Sequence, residues 1–222
     1  MSEAITPKQF LDSDGVADWR LISDGACAFF ALPSLSDAAR FVTAIGELDG
    51  IEEHRPNIDI RFDGVTVCLL TKTAEHWGMS TRDLDLAREI SAVARDQGLS
   101  ADPDAIQSLL IIPGALNIKA VMPFWRAVLG YEPRIDSPDE DLVDPHDRGA
   151  GFWFEQMEEP RPGGDGAIHL AVWVPYEKAQ ARIDAALAAG GRLVRDESAP
   201  SWWTLADPAG NELDVATVGG RR

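Results

Sequence analysis

The chain is poor in the residues that build covalent frameworks and lacks those that mark a membrane protein. Two cysteines in 222 residues, Cys27 and Cys68, are no disulfide framework. Both fall in apolar strand-like runs, so buried, reduced core thiols are expected. No apolar run approaches the ~20 residues needed to span a bilayer. The opening MSEAITPKQF lacks the charged-then-apolar pattern of a secretory signal, so the expected location is cytoplasmic. Positive charge is scarce: 20 Lys and Arg stand against 37 Asp and Glu, a net charge of −17. Nucleic acid and anionic membrane surfaces repel such a chain, and neither is expected as a partner. The 45% hydrophobic content is ordinary for a globular protein, and the length allows one large domain or two small ones.

Two of the four histidines, His54 and His76, fall within one stretch, Glu52 to Asp83. Ile58, Ile60 and Phe62, then Val65, Val67 and Leu69, alternate with polar residues, which predicts two half-buried strands. Asp63-Gly64 between them is a hairpin turn signal. Such a hairpin brings His54-Arg55-Pro56 and the loop from Thr71 to Gly78 to the same end of one sheet. A polar cluster from two loops over a rigid sheet is where function is usually carried.

This stretch resembles the pterin-4a-carbinolamine dehydratases, also called 4a-hydroxytetrahydrobiopterin dehydratases. Their pattern is Glu/Asp-His-His-Pro, a hairpin ending in Thr-His, and Gly-Leu-Ser/Thr-x-x-Asp opening a helix. The matching residues are Glu53-His54-Arg55-Pro56, then Thr71-Lys72, then Gly78-Met79-Ser80-Thr81-Arg82-Asp83. The similarity runs back through Trp19-Arg20-Leu21 and forward to about Ala94. Arg55 replaces the second histidine of the pair, Lys72 replaces the hairpin-end histidine, and the loop holding His76 is longer by two residues.

The resemblance implies a hydro-lyase that removes water from a 4a-hydroxytetrahydropterin, with a pterin as its small-molecule ligand and no cofactor. One proton must reach the departing hydroxyl and another must leave the ring nitrogen. Histidine suits both tasks, because its unperturbed pKa of ~6.5 lets either form exist near neutrality. His54 is the main catalytic candidate, with Arg55, Lys72, His76 and Asp83 beside it. Arg55 stays protonated and offers charge or hydrogen bonds only. Lys72 serves as an acid only if burial lowers its pKa. His76 is a stand-in for a missing histidine or a loop residue without a task. Asp83 matches the family's site aspartate and also stands at the capping-box position after Ser80. Glu53, Pro56, Trp77 and Ser80 are candidate substrate-binding residues, Trp77 by stacking on a flat pterin.

The pattern of residues 1–97 is α-β-β-α-β-β-α. Thr6-Pro7 starts the first helix, and later helices run from Leu35 and from Ser80. The third is expected to bury Leu84, Ala87, Ile90, Val93 and Ala94. Hairpin-joined strands between helices predict an α+β domain, an antiparallel sheet with helices on one face. Residues 98–106 read as a linker. Residues 107–218 repeat a βαβββ pattern at an offset of roughly sixty residues. Leu109 to Ile112 and the helix from Ile118, with Phe124 and Val128 on one face, open the first copy. His169 to Val174 and the helix from Tyr176 open the second. The acidic run Asp136 to Asp147 reads as a solvated loop.

Phe124 to Tyr131, His169-Leu170-Ala171-Val172 and Asp207-Pro208-Ala209-Gly210-Asn211-Glu212-Leu213 make this half similar to the glyoxalase-like, or vicinal oxygen chelate, domains. That similarity offers His169 and Glu212 as metal ligands, with Glu155 near the equivalent end of the first copy. About four donors are needed, and the strand Leu109 to Ile112 supplies none. The expectation is therefore no bound metal. His169 and Glu212 are expected to hydrogen-bond to each other at a pocket walled by Trp153, Trp173, Trp202 and Trp203. A homodimer is expected, because sheet edges in both families are commonly closed by a second copy. Two rivals to dehydration stay open: a protein that binds a pterin or a partner without turnover, and a metal-dependent enzyme of the second half.

Overall fold

Alternation along two central strands builds the first half of the molecule. The computed structural model describes residues 2–73, 76–159, 168–206 and 212–220, with the backbone alone at 124, 127 and 128. The chain divides into two units, Met1–Ile106 with Gly220–Arg222, and Gln107–Gly219. In the first unit, α1 (Pro7–Leu11) begins in a capping box between Thr6 and Gln9. Then come β1 (Arg20–Ile22), β2 (Gly25–Ala31), α2 (Leu35–Gly46), β3 (Asn57–Ile60) and β4 (Gly64–Leu69). The last elements are a small hairpin of β5 (Thr71–Lys72) and β6 (Trp77–Gly78), and then α3 (Thr81–Asp96).

The four-stranded sheet runs β1-β2-β4-β3 with every pair antiparallel. Ala26, Ala28 and Phe30 of β2 and Val65, Val67 and Leu69 of β4 are wholly buried on one face. Phe30 meets Phe41 of α2 edge-on at 5.0 Å, and the buried Trp19 indole donates to the Ala87 carbonyl of α3 at 3.0 Å. Each large apolar side chain buried there contributes about 1.5–3 kcal/mol. The expected α+β class and element order are present, with the β5–β6 hairpin added.

Four local expectations change. The hairpin bend falls on Phe62-Asp63, because Arg61 N–H already donates to Gly64 O at 2.9 Å. Phe62 therefore leaves the strand and stands 98% exposed. Cys27 and Cys68 are not free thiols but a disulfide. The β2–β4 register sets them directly opposite each other, a fact invisible until the register is known. In α3 the buried face is Asp83, Leu86, Ala87, Ile90, Ser91 and Ala94, so it begins with a carboxylate instead of Leu84. Residues 98–106 are no free tether. Ala101 bridges Phe30, and Asp102 N–H donates to Phe29 O at 2.8 Å, extending the sheet where the short β1 has ended.

The second unit begins with β7 (Ser108–Ala115), α4 (Ile118–Leu129), β8 (Glu132–Arg134), β9 (Ser137–Val143), β10 (Gly151–Trp153) and β11 (Glu155–Gln156). It then repeats the pattern with β12 (Ile168–Trp173), α5 (Ala179–Ala188), β13 (Arg192–Arg195), β14 (Trp202–Ala206) and β15 (Glu212–Ala216). One sheet runs β13-β14-β15-β12-β7-β10-β9-β8, with β11 also on β7. The two βαβββ copies join through antiparallel β7 and β12. Ile118 and Met122 of α4 share a core with Ala115, Leu142, Phe152 and Phe154, and Ile183 of α5 shares one with Val174, Leu205 and Val215. The acidic run is a strand and turn, not a loop. Ser137–Val143 is β9, and Asp144 accepts three backbone N–H bonds, from His146, Arg148 and Gly149. The turn expected at Asp207-Pro208-Ala209-Gly210-Asn211 and the side chains of Phe124 and Val128 lie outside the described residues.

Candidate functional site

The N-terminus of α3 creates the first polar cluster. Ser80 is the N-cap and Asp83 the third helical residue, and their reciprocal bonds form a capping box. Asp83 has no exposed surface, so each of its oxygens needs a donor. Oδ2 accepts from the Ser80 N–H at 2.7 Å, the Ser80 hydroxyl at 2.8 Å and the Thr71 hydroxyl at 2.7 Å. Oδ1 lies 2.6 Å from Nε2 of His54. Burial by itself raises the Asp83 pKa. The hydrogen bonds from His54, Thr71 and Ser80, with the attraction of His54, outweigh it and hold the carboxyl below its ordinary value. An ionised carboxylate only accepts, which assigns the His54 proton to Nε2 and leaves Nδ1 as the ring's other nitrogen. The ring follows the short turn Ile51–Glu53 and is 19% exposed.

The other candidates sit around this pair. Arg55 is exposed and pairs with Glu52 at 3.2 Å. Glu53 is exposed and Pro56 half-buried at the entry to β3. Lys72 stands over the Trp77 ring at 4.8 Å, so the β5–β6 hairpin presents a cation on an aromatic face. His76 turns Nε2 to the Met79 carbonyl at 3.0 Å, and its backbone N–H donates to Thr73. Ser80, expected to touch substrate, is 1% exposed with its hydroxyl held by Asp83 and Thr71. It is a cap inside the site wall. Thr71 was missed as a working residue. Its signal is a buried hydroxyl at a strand end facing a capped helix start.

A second polar cluster lies on the sheet of the second unit, on the face turned away from α5. Strand alternation sends Leu205, Leu213 and Val215 under α5, and Thr204 and Asp214 to the other side. There Asp214 Oδ2 lies 3.4 Å from His169 Nε2, and Oδ1 accepts from the Thr204 hydroxyl at 2.6 Å. All three side chains are buried. The acidic partner of His169 is thus Asp214, two residues along the same strand face from Glu212. Glu212 instead takes Arg195 at 3.2 Å. Half-buried Glu155 enters beside Gly114 on β7. Asp141 lies opposite Trp153, and burial raises its pKa. Trp202 belongs to the His169 face, whereas its neighbour Trp203 packs under α5 and leaves the expected pocket wall.

A divalent ion of the chelate type finds His169 and Asp214 here, but Ile112, opposite His169 on β7, is apolar. Among the described residues no three His, Cys, Asp or Glu side chains gather to hold a metal ion. That donor set does not fit one.

Residues 3–93 match the family described as Pterin 4 alpha carbinolamine dehydratase, and residues 111–216 match that described as Glyoxalase-like domain. A relative from Nocardia farcinica (strain IFM 10152), named provisionally as pterin-4-alpha-carbinolamine dehydratase, is 36% identical over 78 residues, covering 35% of this chain and 80% of its own. One of the same provisional name from Roseiflexus sp. (strain RS-1) is 39% identical over 64 residues, covering 29% of this chain and 67% of its own. Through its first unit the chain belongs to the pterin-4a-carbinolamine dehydratase family. A solved glyoxalase/bleomycin resistance protein/dioxygenase superfamily member from Vibrio splendidus 12B01 is 18% identical, covers 50% of this chain and 99% of its own, and has a TM-score of 0.34.

Against the dehydratase pattern, the residues that depart are those engaged at the rim. Arg55 is tied to Glu52 and Lys72 to Trp77, while His54, Asp83 and the Thr71-Ser80 support follow the pattern. No helix among the described residues is long and apolar enough to cross a membrane.

Proposed function

We propose that the first unit is a 4a-hydroxytetrahydropterin dehydratase working with one histidine. The observation that carries this reading is the 2.6 Å contact between His54 and a buried, ionised Asp83. The reaction is proton-neutral. The ring nitrogen loses a proton, the C–O bond to the hydroxyl breaks, and the departing oxygen gains a proton to leave as water. A single imidazole near neutrality can take the first proton and give the second. Asp83 fixes its tautomer and stabilises the imidazolium formed between the two transfers. Arg55 and Lys72 then hold substrate or charge, and Trp77 offers an aromatic face. The chain acts as a homodimer.

Dehydratase assays on the full chain test this. His54→Ala should lower turnover by about 10²–10⁴-fold, the usual weight of a general acid–base group. Unchanged turnover removes His54 from the mechanism. The engagement of Arg55 and Lys72 favours a second reading, a pterin-binding protein without catalysis. Binding of a reduced pterin by wild type with no turnover selects it. For the second unit we propose ligand binding at the His169–Asp214 face beside Trp202, with no metal-dependent step.

A further inference from the structure

We propose that Arg82 is a positioning residue for the His54–Asp83 pair: its guanidinium ties the start of α3, which carries Asp83, to the turn that carries His54. This rests on the dehydratase reading above and adds to it a residue at one of the open positions between Ser80 and Asp83. The two halves of the pair come from separate segments. Asp83 is fixed by the cap of α3. His54 ends a turn in which the N–H groups of Ile51, Glu53 and His54 donate in succession to the carbonyls of Leu48, Gly50 and Ile51. Ile51 anchors that turn in the core. Arg82 reaches it from α3, where Nη2 donates to the Asp49 carbonyl at 2.6 Å, across 33 residues. Nη1 lies 3.5 Å from Glu89 Oε1, so the planar group is held by two edges. Gly50 shapes the seat. Its φ of +70° suits glycine, and a methyl group there would stand 3.3 Å from Arg82 Nη2. The guanidinium therefore lies against bare backbone.

Helix preference does not explain an arginine here. Arg82 is the second residue of α3, where the helix dipole opposes a cation. Its side chain is also only 25% exposed, so the charge is drawn partly out of water. The Asp49 carbonyl and the Glu89 carboxylate offset both costs, and the gain falls on the pair. The start of α3 is itself a firm reference. On it the Thr81 N–H donates to the Glu3 carbonyl at 2.8 Å and the Met79 carbonyl accepts from the Ile5 N–H at 2.9 Å. Arg82 carries that firmness across to the turn. Without it, the turn and its imidazole can swing away from Asp83 Oδ1, where Nε2 now lies at 2.6 Å. A misplacement of ~1 Å can cost a catalytic group about 10²-fold in rate.

NMR of the full chain with isotope-labelled histidine, beside steady-state kinetics on a 4a-hydroxytetrahydropterin, tests the clamp. The Nε2 proton of His54 should exchange slowly and resonate downfield through its carboxylate bond, and its absence from His54→Ala assigns it. Arg82→Gln keeps a polar side chain at the helix start and keeps the fold, which circular dichroism confirms. It should broaden or abolish the His54 resonance and lower kcat by roughly tenfold to a hundredfold with KM little changed. Arg82→Lys returns a donor to the Asp49 carbonyl and should restore the resonance and most of kcat. A residue that merely stabilised the helix would move neither readout in a folded variant. Arg82→Gln with the wild-type resonance overturns the clamp, whatever its turnover. A wild type without the resonance overturns it too, because no fixed pair is then there to position. A wild type whose resonance depends on Arg82 but which turns over no pterin overturns the dehydratase reading and leaves the clamp standing.

Discussion

His54 and Asp83 are 29 residues apart in sequence and 2.6 Å apart in space, and Asp83 spends its other oxygen on Thr71 and Ser80. The carboxylate is therefore locked before the imidazole meets it. Asp83→Asn keeps the shape but offers an amide that donates as well as accepts. It should lower turnover through a misplaced His54 tautomer, and lower stability by about 1–3 kcal/mol through a buried polar mismatch. Measuring both separates the effects: lost stability with intact turnover would confine Asp83 to capping.

Acid should expose the same pair. The folded pKa of Asp83 lies below its ordinary 3.8, so its ionised form is favoured by folding. That stabilisation is complete above the unfolded pKa and is lost as pH falls through the folded value. Wild type should lose stability below about pH 4, with Asp83 carrying part of the loss. In Asp83→Asn the acid limb of the stability profile should be shallower. Parallel profiles by chemical denaturation would show that other carboxylates govern it.

Thr71 tests whether the support behind Asp83 matters to chemistry. Thr71→Val keeps the β-branched shape at a strand end and removes one of the donors to Oδ2. Removing it should cost about 1–3 kcal/mol as an incompletely satisfied buried carboxylate and should lower turnover without changing pterin affinity. Thr71→Ser restores the hydroxyl and should restore turnover. A valine variant with full activity would make Thr71 purely architectural.

How much of this was legible in the residues depends on the kind of information. Period-two alternation at Val65, Val67 and Leu69 and the cap at Ser80 are local, and both the sheet and the start of α3 follow from them. His54 and Asp83 were legible as motif residues, and the structure sets them side by side. Register is not local. It alone makes Cys27 face Cys68, and it puts Asp214 instead of Glu212 against His169. Alternation, properly applied, already forbade Trp202 and Trp203 from sharing one pocket wall, since neighbours on a strand face opposite ways. Phe62 leaves the strand because the bond from Arg61 to Gly64 starts the bend one residue before Asp63-Gly64.

In the second unit the buried and the rim carboxylates should behave differently. Asp214 is buried and serves both His169 and Thr204, whereas Glu212 pairs with a largely exposed Arg195. Asp214→Ala should lower the unit's stability by about 1–3 kcal/mol, leaving His169 and Thr204 short of a partner. Glu212→Gln should change it by no more than about 1 kcal/mol, as exposed ion pairs contribute little. Equal effects in denaturant titrations would reverse the assignment of the His169 partner.

The disulfide supplies the last test. Cys27 and Cys68 are 41 residues apart and join the two central strands, β2 and β4, which the sheet already holds together by backbone bonds. In the folded state the link therefore adds little new order. Its effect falls on the unfolded chain, where closing a loop of that length removes conformational freedom worth about 2–4 kcal/mol. Reducing agent should lower the unfolding free energy of wild type by that much, read as a lower denaturant midpoint at an equal slope, with no loss of the folded baseline. The double variant Cys27→Ala/Cys68→Ala should match reduced wild type and ignore reductant. Thiol titration of the untreated, denatured protein supplies the direct count, and two free thiols per chain would show the pair unlinked. A midpoint equal with and without reductant, in a chain shown to carry the bond, would mean that residual structure in the unfolded state already restrains these strands.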